Sequence, residues 1–385
     1  MVFRENGSFE RGDVAMSGEF FSAPVSGGRG SLAASRLASG EDDVLDAAGC
    51  YAIPGLIDIH LHGCLGHDFC NTDIRGIEKM ARYQAANGVT AICPTTMTLP
   101  EGQLIPACER ISAYRSPGGG AELAGIYLEG PFISQSKLGA QNPAYVRVPD
   151  QDMFHRLQTA AGGLAKIIAF APEAEGAMEF IDAVREQIVC SLAHTAADYE
   201  TSLEALRRGS RQVTHLYNAM PPFNHRDPGV IGAALDSPDC NVELICDDVH
   251  VHPSVVRATM RMFGGGRVIM VSDSMMATGL ADGVYELGGQ TVRVKGSVSR
   301  LDEGGAIAGS VTNLMDCVRT AVIKMDVPLA AAVKCASVNP AKAIGIFDLR
   351  GSIEPGKYAD LVLLSEDLSI RNVFLKGAEI PAMHK

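Results

Sequence analysis

Between residues 50 and 275, apolar runs bounded by turn residues alternate regularly with stretches of helical spacing. The apolar runs read as buried strands at 51–60, 89–95, 123–129, 166–170, 188–194, 212–215, 242–246 and 268–273. Between them, 77–86, 102–114, 150–161, 177–186, 199–208 and 254–263 carry apolar residues at helical intervals. Strands that are apolar along their whole length belong in a parallel sheet covered on both faces. Strand–helix units repeated eight times predict a (β/α)8, TIM-like barrel.

The two ends of the chain read differently. Residues 1–49 are Gly-rich and alternating, and 345–385 contain the strand-like runs 359–364 and 372–375. The termini are therefore expected to pair into a small β-sandwich domain (1–49 with 345–385) beside a barrel domain at 50–344. The stretch 278–308, rich in Gly and Val, is expected to be irregular and to supply loops at the barrel mouth.

Composition narrows the function. A length of 385 residues suits one large and one small domain, given about 150 residues per domain and roughly 250 for a barrel. With 33 Lys and Arg against 45 Asp and Glu, the net charge is -12, which argues against nucleic acid and against polybasic membrane attachment. No apolar stretch reaches the ~18 residues of a membrane span, and residues 1–10 hold no signal-peptide core. A cytoplasmic location is expected. The ten cysteines are scattered and form no Cys-x-x-Cys pair, so they read as free, buried thiols.

The chemistry lies where polar residues stop each apolar run, because barrel enzymes carry their reactive groups at the C-terminal strand ends. The first run ends in Asp58-Ile59-His60-Leu61-His62, the third in Glu129, the fifth in His194, the sixth in His215 and the eighth in Asp273. A single histidine at a strand end is usually just a satisfied polar residue. Four histidines, a Glu and an Asp on one mouth instead form a ligand set suited to Zn(II) or Fe(II). His60 and His62 are two apart in a strand, so their side chains share a side and can chelate one ion.

These residues also carry a resemblance. Pro54-Gly55-Leu56-Ile57-Asp58-Ile59-His60-Leu61-His62-Gly63, with Asn339-Pro340-Ala341 and the segment 351–362, resembles the amidohydrolase superfamily. Leu128-Glu129-Gly130-Pro131-Phe132, Gly139-Ala140-Gln141-Asn142-Pro143, Thr214-His215-Leu216-Tyr217-Asn218-Ala219-Met220 and Arg226-Asp227-Pro228-Gly229 are similar to its N-acetylglucosamine-6-phosphate deacetylase family. The resemblance implies that Glu129, His194 and His215 hold a main divalent ion. It also implies that His60 and His62, with Asp273, can form a second site, giving one or two ions per subunit, Zn or Fe. Many amidohydrolases bridge two metals with a fourth-strand lysine; here Lys166 stands at the wrong end of that strand, and Glu129 would take the bridging place.

The expected reaction is hydrolysis of an acetamide on an amino-sugar phosphate, with Asp273 as general base and then general acid. Arg226, in the loop after the sixth strand, is the candidate phosphate grip, since a guanidinium binds phosphate through two parallel hydrogen bonds. The family places this arginine across a dimer interface, which implies a homodimer. Ala140, Gln141, Asn218, Ala219 and His250 are expected to bind the substrate, and Ile307, Ala308 and Gly309 to close the acetyl side. Three departures stand out: Gln141 replaces a phosphate-binding His, Asp248 a Gly, and Ala193 a Gly. The galactosamine epimer is the close alternative substrate. A cyclic-amide hydrolase fits less well without the fourth-strand Lys. A non-catalytic sugar-phosphate sensor would have no need for Asp273 beside a full ligand set.

Overall fold

The computed structural model describes residues 1–23 and 44–381. The barrel is built from Leu56–Leu61, Val89–Pro94, Ile126–Glu129, Ala165–Phe170, Val189–Leu192, Gln212–Val213, Asn241–Ile245 and Val268–Val271. Neighbours in chain order pair in parallel. The ring closes through two single bridges, Thr95 with Tyr127 and Leu61 with Ser274.

Helices Ile74–Ala86, Glu101–Ala113, Gln151–Ala160, Ala177–Val184, Tyr199–Arg208, Gly229–Leu235 and Pro253–Phe263 connect the strands. Asp73, Asp150 and Asp198 start three of them, each accepting a first-turn backbone N–H at 2.8, 3.0 and 2.8 Å. An aspartate there satisfies an otherwise unpaired donor and complements the positive end of the helix dipole.

Two readings of the chain need correction. The run 51–60 is not one strand but two. Tyr51–Pro54 pairs antiparallel with Leu361–Leu364, whereas Leu56–Leu61 enters the barrel beside Val89–Pro94. The change of partner takes one residue: Gly55 N donates to Asp360 O at 2.8 Å and Leu56 N to Gly88 O at 2.9 Å. A Cβ on Gly55 would sit 2.1 Å from Thr90 Oγ1, so only glycine passes the junction. Gly55→Ala is expected to destabilise the protein by about 1–3 kcal/mol through overpacking. Gly102→Ala, at an open helical position with nothing within 4 Å of the new Cβ, is expected to be neutral or slightly stabilising. Denaturant midpoints of the two variants check the contrast.

The second correction concerns 278–308. It holds a three-stranded antiparallel sheet, Gly283–Leu287, Gln290–Lys295 and Val298–Leu301, which forms a flap over the mouth. Val292 and Val294 are buried while Thr291, Arg293 and Lys295 are exposed. Such half-buried strands alternate instead of running apolar throughout, so a search for continuous apolar runs passes over them.

Both chain ends build the second layer. A six-stranded sheet runs in the order Phe9–Glu10, Val2–Phe3, Tyr51–Pro54, Leu361–Leu364, Ile370–Leu375, Ala378–Glu379. The hairpin Ala15–Ser17 with Phe20–Ser22 faces it. Met16 and Phe21 of the hairpin pack with Val2, Ala52, Leu361, Leu363 and Phe374 of the sheet in one apolar cluster, which makes the small unit a sandwich.

Candidate metal centre and active site

The barrel brings the strand-end residues to one carboxylate. Glu129 Oε1 lies 3.2 Å from His194 Nε2, 3.1 Å from His215 Nε2 and 3.5 Å from His60 Nε2. Its Oε2 lies 3.4 Å from His62 Nε2. Asp273 Oδ1 faces the same group, 3.3 Å from His62 Nε2 and 3.7 Å from His60 Nε2. His60, His62 and Glu129 form one possible ligand cluster, and Glu129, His194 and His215 form another. All six residues are buried.

Local backbone geometry turns these side chains inward. His194, His215 and Asp273 have φ of 43°, 28° and 49°, so each strand ends in a left-handed kink at its functional residue. Non-glycine residues in that region cost of order 1–3 kcal/mol and persist only where the surroundings hold them. At Asp273 the backbone is tied on both sides, by its N–H to His60 O at 2.9 Å and by its carbonyl to Ser310 N at 2.7 Å.

Partners stand behind the Nδ1 atoms of His60, His62 and His194, whereas the buried His215 Nδ1 has none. His194 Nδ1 faces Lys137 O at 3.0 Å and His62 Nδ1 faces Thr95 O at 3.3 Å. A carbonyl can only accept, so each Nδ1 carries the proton and leaves an Nε2 lone pair toward the centre, the form a metal ligand needs. His60 Nδ1 meets the buried Glu243 carboxylate at 2.8 Å. His60 Nε2 is fully buried and has no hydrogen-bond partner. The ring nitrogens of His194 and His215 stand 3.1 Å apart. That matches the ~3.3 Å edge expected of a tetrahedron with metal–nitrogen bonds of about 2.0–2.1 Å. An orphaned buried nitrogen, fixed tautomers and this spacing all fit a divalent cation held by Glu129 and the histidines. Burial opposes a charge on His60, but Glu243 and Glu129 outweigh it and push its pKa up to about 10. Carboxylates arranged to favour positive charge here would favour a metal cation as well.

A cavity of about 240 Å³ opens onto the cluster. His62, Glu129, His194, His215 and Asp273 line it, as do Ala140, Gln141, Asn218, Ala219, His250, Ile307 and Gly309. His60 lies buried beneath, and Ala308 is buried without lining the cavity. Arg226 is exposed and does not line the cavity of its own chain. Asp248, which stands in place of a Gly, is paired with Lys324 Nζ at 3.0 Å and does not line the cavity. His250 is oriented by Asp247 Oδ2 at 2.7 Å. Lys166 stands at the start of its strand, opposite the mouth.

Two supporting residues are given no role by a reading of strand ends. Glu243 holds His60 Nδ1, accepts His215 N–H at 3.2 Å and takes Gln212 Nε2 at 2.6 Å. The signal for it was present, because a lone carboxylate within the apolar run 241–245 must be paired once buried. Asp58 is likewise buried and accepts Ser272 Oγ at 2.5 Å, which joins the first barrel strand to the eighth.

Comparison with known proteins agrees with this geometry. The amidohydrolase family model matches residues 51–380. An N-acetylglucosamine-6-phosphate deacetylase of Bacillus subtilis is 39% identical over 330 residues, covering 84% of this chain and 83% of its own. An N-acetylgalactosamine-6-phosphate deacetylase of Escherichia coli O157:H7 is 34% identical over 326 residues, covering 84% of this chain and 86% of its own. A mutant N-acetyl-D-glucosamine-6-phosphate deacetylase of Mycobacterium smegmatis, solved with N-acetyl-D-glucosamine-6-phosphate, superposes with a TM-score of 0.86 at 29% identity, covering 96% of this chain and 98% of its own. The family match extends over most of the molecule, and the chain belongs to the amidohydrolase family.

Proposed function

We propose that this chain hydrolyses the acetamide of N-acetylglucosamine 6-phosphate to glucosamine 6-phosphate and acetate. The observation that carries the reading is Glu129 shared by four imidazoles, with Asp273 opposite it on the wall of an open cavity. The deacetylase names of the relatives support the substrate class.

Glu129, His194 and His215 would hold one divalent ion, with His60, His62 and Asp273 available for a second. Zn is favoured over Fe(II) by intrinsic affinity, although availability also decides. Such an ion supplies Lewis acidity that polarises an amide carbonyl and acidifies water. Asp273 accepts the proton of the attacking water and returns it to the amine, which leaves poorly unless protonated. In metal-free protein burial opposes the charge on Asp273, but the His62 hydrogen bond and the charges of His60 and His62 outweigh it and lower its pKa; with an ion bound, the cation would take their place in holding Asp273 ionised as a base. Asn218, Ala219 and His250 bind the sugar, and Ile307 and Gly309 enclose the acetyl side, with Ala308 buried behind them.

Arg226, exposed and off its own cavity, grips the 6-phosphate in the neighbouring subunit of a homodimer. The protein works in the cytoplasm; among the described residues, no helix is long and apolar enough to cross a membrane. The galactosamine epimer is the second reading, favoured by the relative that carries that name.

Acetate release from the two epimeric 6-phosphates and from unphosphorylated N-acetylglucosamine tests these assignments. Losing a charged bidentate contact of about 2–3 kcal/mol should lower kcat/KM roughly 30- to 150-fold for the unphosphorylated sugar. Arg226→Ala should impose the same loss on the phosphorylated sugar and none on the unphosphorylated one. Metal-loaded protein that releases no acetate from any of the three would overturn the proposal.

A further inference from the structure

We infer that Gln141 is a positioning residue for the Glu129 carboxylate and not a contact for the substrate. It occupies a position where the resemblance implies phosphate binding, and it lines the cavity. Its amide, however, is already committed. Gln141 Nε2 donates to Glu129 Oε2 at 2.6 Å, and Gln141 Oε1 accepts the Thr98 backbone N–H at 2.7 Å. The remaining Nε2 direction meets Met97 Sδ at 3.9 Å. The Thr98 N–H can only donate, so it settles which end of the amide is oxygen and turns the NH2 group onto Glu129. The side chain is 3% exposed, and neither of its N–H groups remains for a phosphate.

The backbone around Gln141 serves the same purpose. Lys137, four residues earlier, orients His194 through its carbonyl at 3.0 Å. Gln290 of the flap donates to Ala140 O at 2.5 Å and pins the loop from above. One short loop thus holds two of the three residues in the Glu129, His194 and His215 cluster. The donor on Oε2 also leaves Oε1 facing the three Nε2 atoms of His60, His194 and His215. A neutral amide achieves this without adding a positive charge that would repel a cation.

The inference rests on the metal-dependent reading above, but its main readout needs no substrate. Gln141→Met removes both bonds at similar length, and Gln141→Asn keeps polarity but is one methylene too short to span Thr98 and Glu129. Unfolding midpoints of the metal-free proteins establish that both variants fold. Co(II) affinity, measured by chelator competition, should fall 10- to 100-fold in Gln141→Asn and at least as much in Gln141→Met, the range typical for loss of a group that orients a ligand. The Co(II) absorption spectrum should change, and kcat should drop with KM for the sugar phosphate within about twofold. Co(II) affinity within twofold of the parent with an unchanged spectrum would overturn the inference, as would a tenfold rise in KM at constant kcat. Failure of the deacetylase reading would instead show as absent acetate release from a parent protein that still binds Co(II).

Discussion

Asp273→Asn is expected to lower kcat for acetate release by about 10³- to 10⁴-fold while the protein keeps its metal. Positioned general acid–base groups contribute 10²- to 10⁴-fold, and Asp273 is proposed to act twice per turnover, which places the effect near the upper end. The asparagine fits the same space, so the backbone kink at φ 49° and its two flanking hydrogen bonds are expected to survive. Glu129, His194 and His215 form their cluster without Asp273, so metal at that cluster should remain. The check is kcat together with metal content on the same preparation. Turnover within tenfold of the parent at equal metal content would remove Asp273 from its role.

Replacing Glu129 is expected to be more damaging, because its carboxylate belongs to both ligand clusters. In Glu129→Ala, bound metal should fall below a tenth of an equivalent per chain after dialysis, and turnover should drop at least ~10⁴-fold. His62→Ala removes a ligand from only one cluster and should keep the ion at the other. Stability should respond as well. In metal-free protein the buried Glu129 carboxylate lies within 3.5 Å of four imidazoles and is the nearest carboxylate to His194 and His215, and removing one partner of such a buried pair costs about 3–5 kcal/mol. Denaturant unfolding of metal-free Glu129→Ala and parent protein measures that term. A variant that retains a full equivalent of metal would show that the histidines alone hold the ion.

Much of this protein was legible because strand, helix and strand-end polarity are local patterns. The strand ends carrying His60, Glu129, His194, His215 and Asp273 stand out as polar stops after apolar runs, and a barrel needs only chain order to place them on one face. What resisted reading depended on partners distant in sequence. Gly55 looks like an ordinary strand glycine until Thr90 is seen against it. The flap follows a period-two pattern that differs from the runs around it. Gln141 was expected to line the substrate pocket, and its orientation depends on the Thr98 backbone, 43 residues away.

The sequence by itself determined the barrel, its companion sandwich from both termini, and the residue types presented at the mouth. These follow from side-chain periodicity and covalent order, which act over a few residues. The tertiary structure alone decided that one carboxylate is shared by four imidazoles, that Glu243 reaches His60 across 183 positions, and that Gln141 faces Glu129. Those distances are set by barrel closure and by kinks in the backbone, where a shift of one ångström would turn a ligand into a bystander.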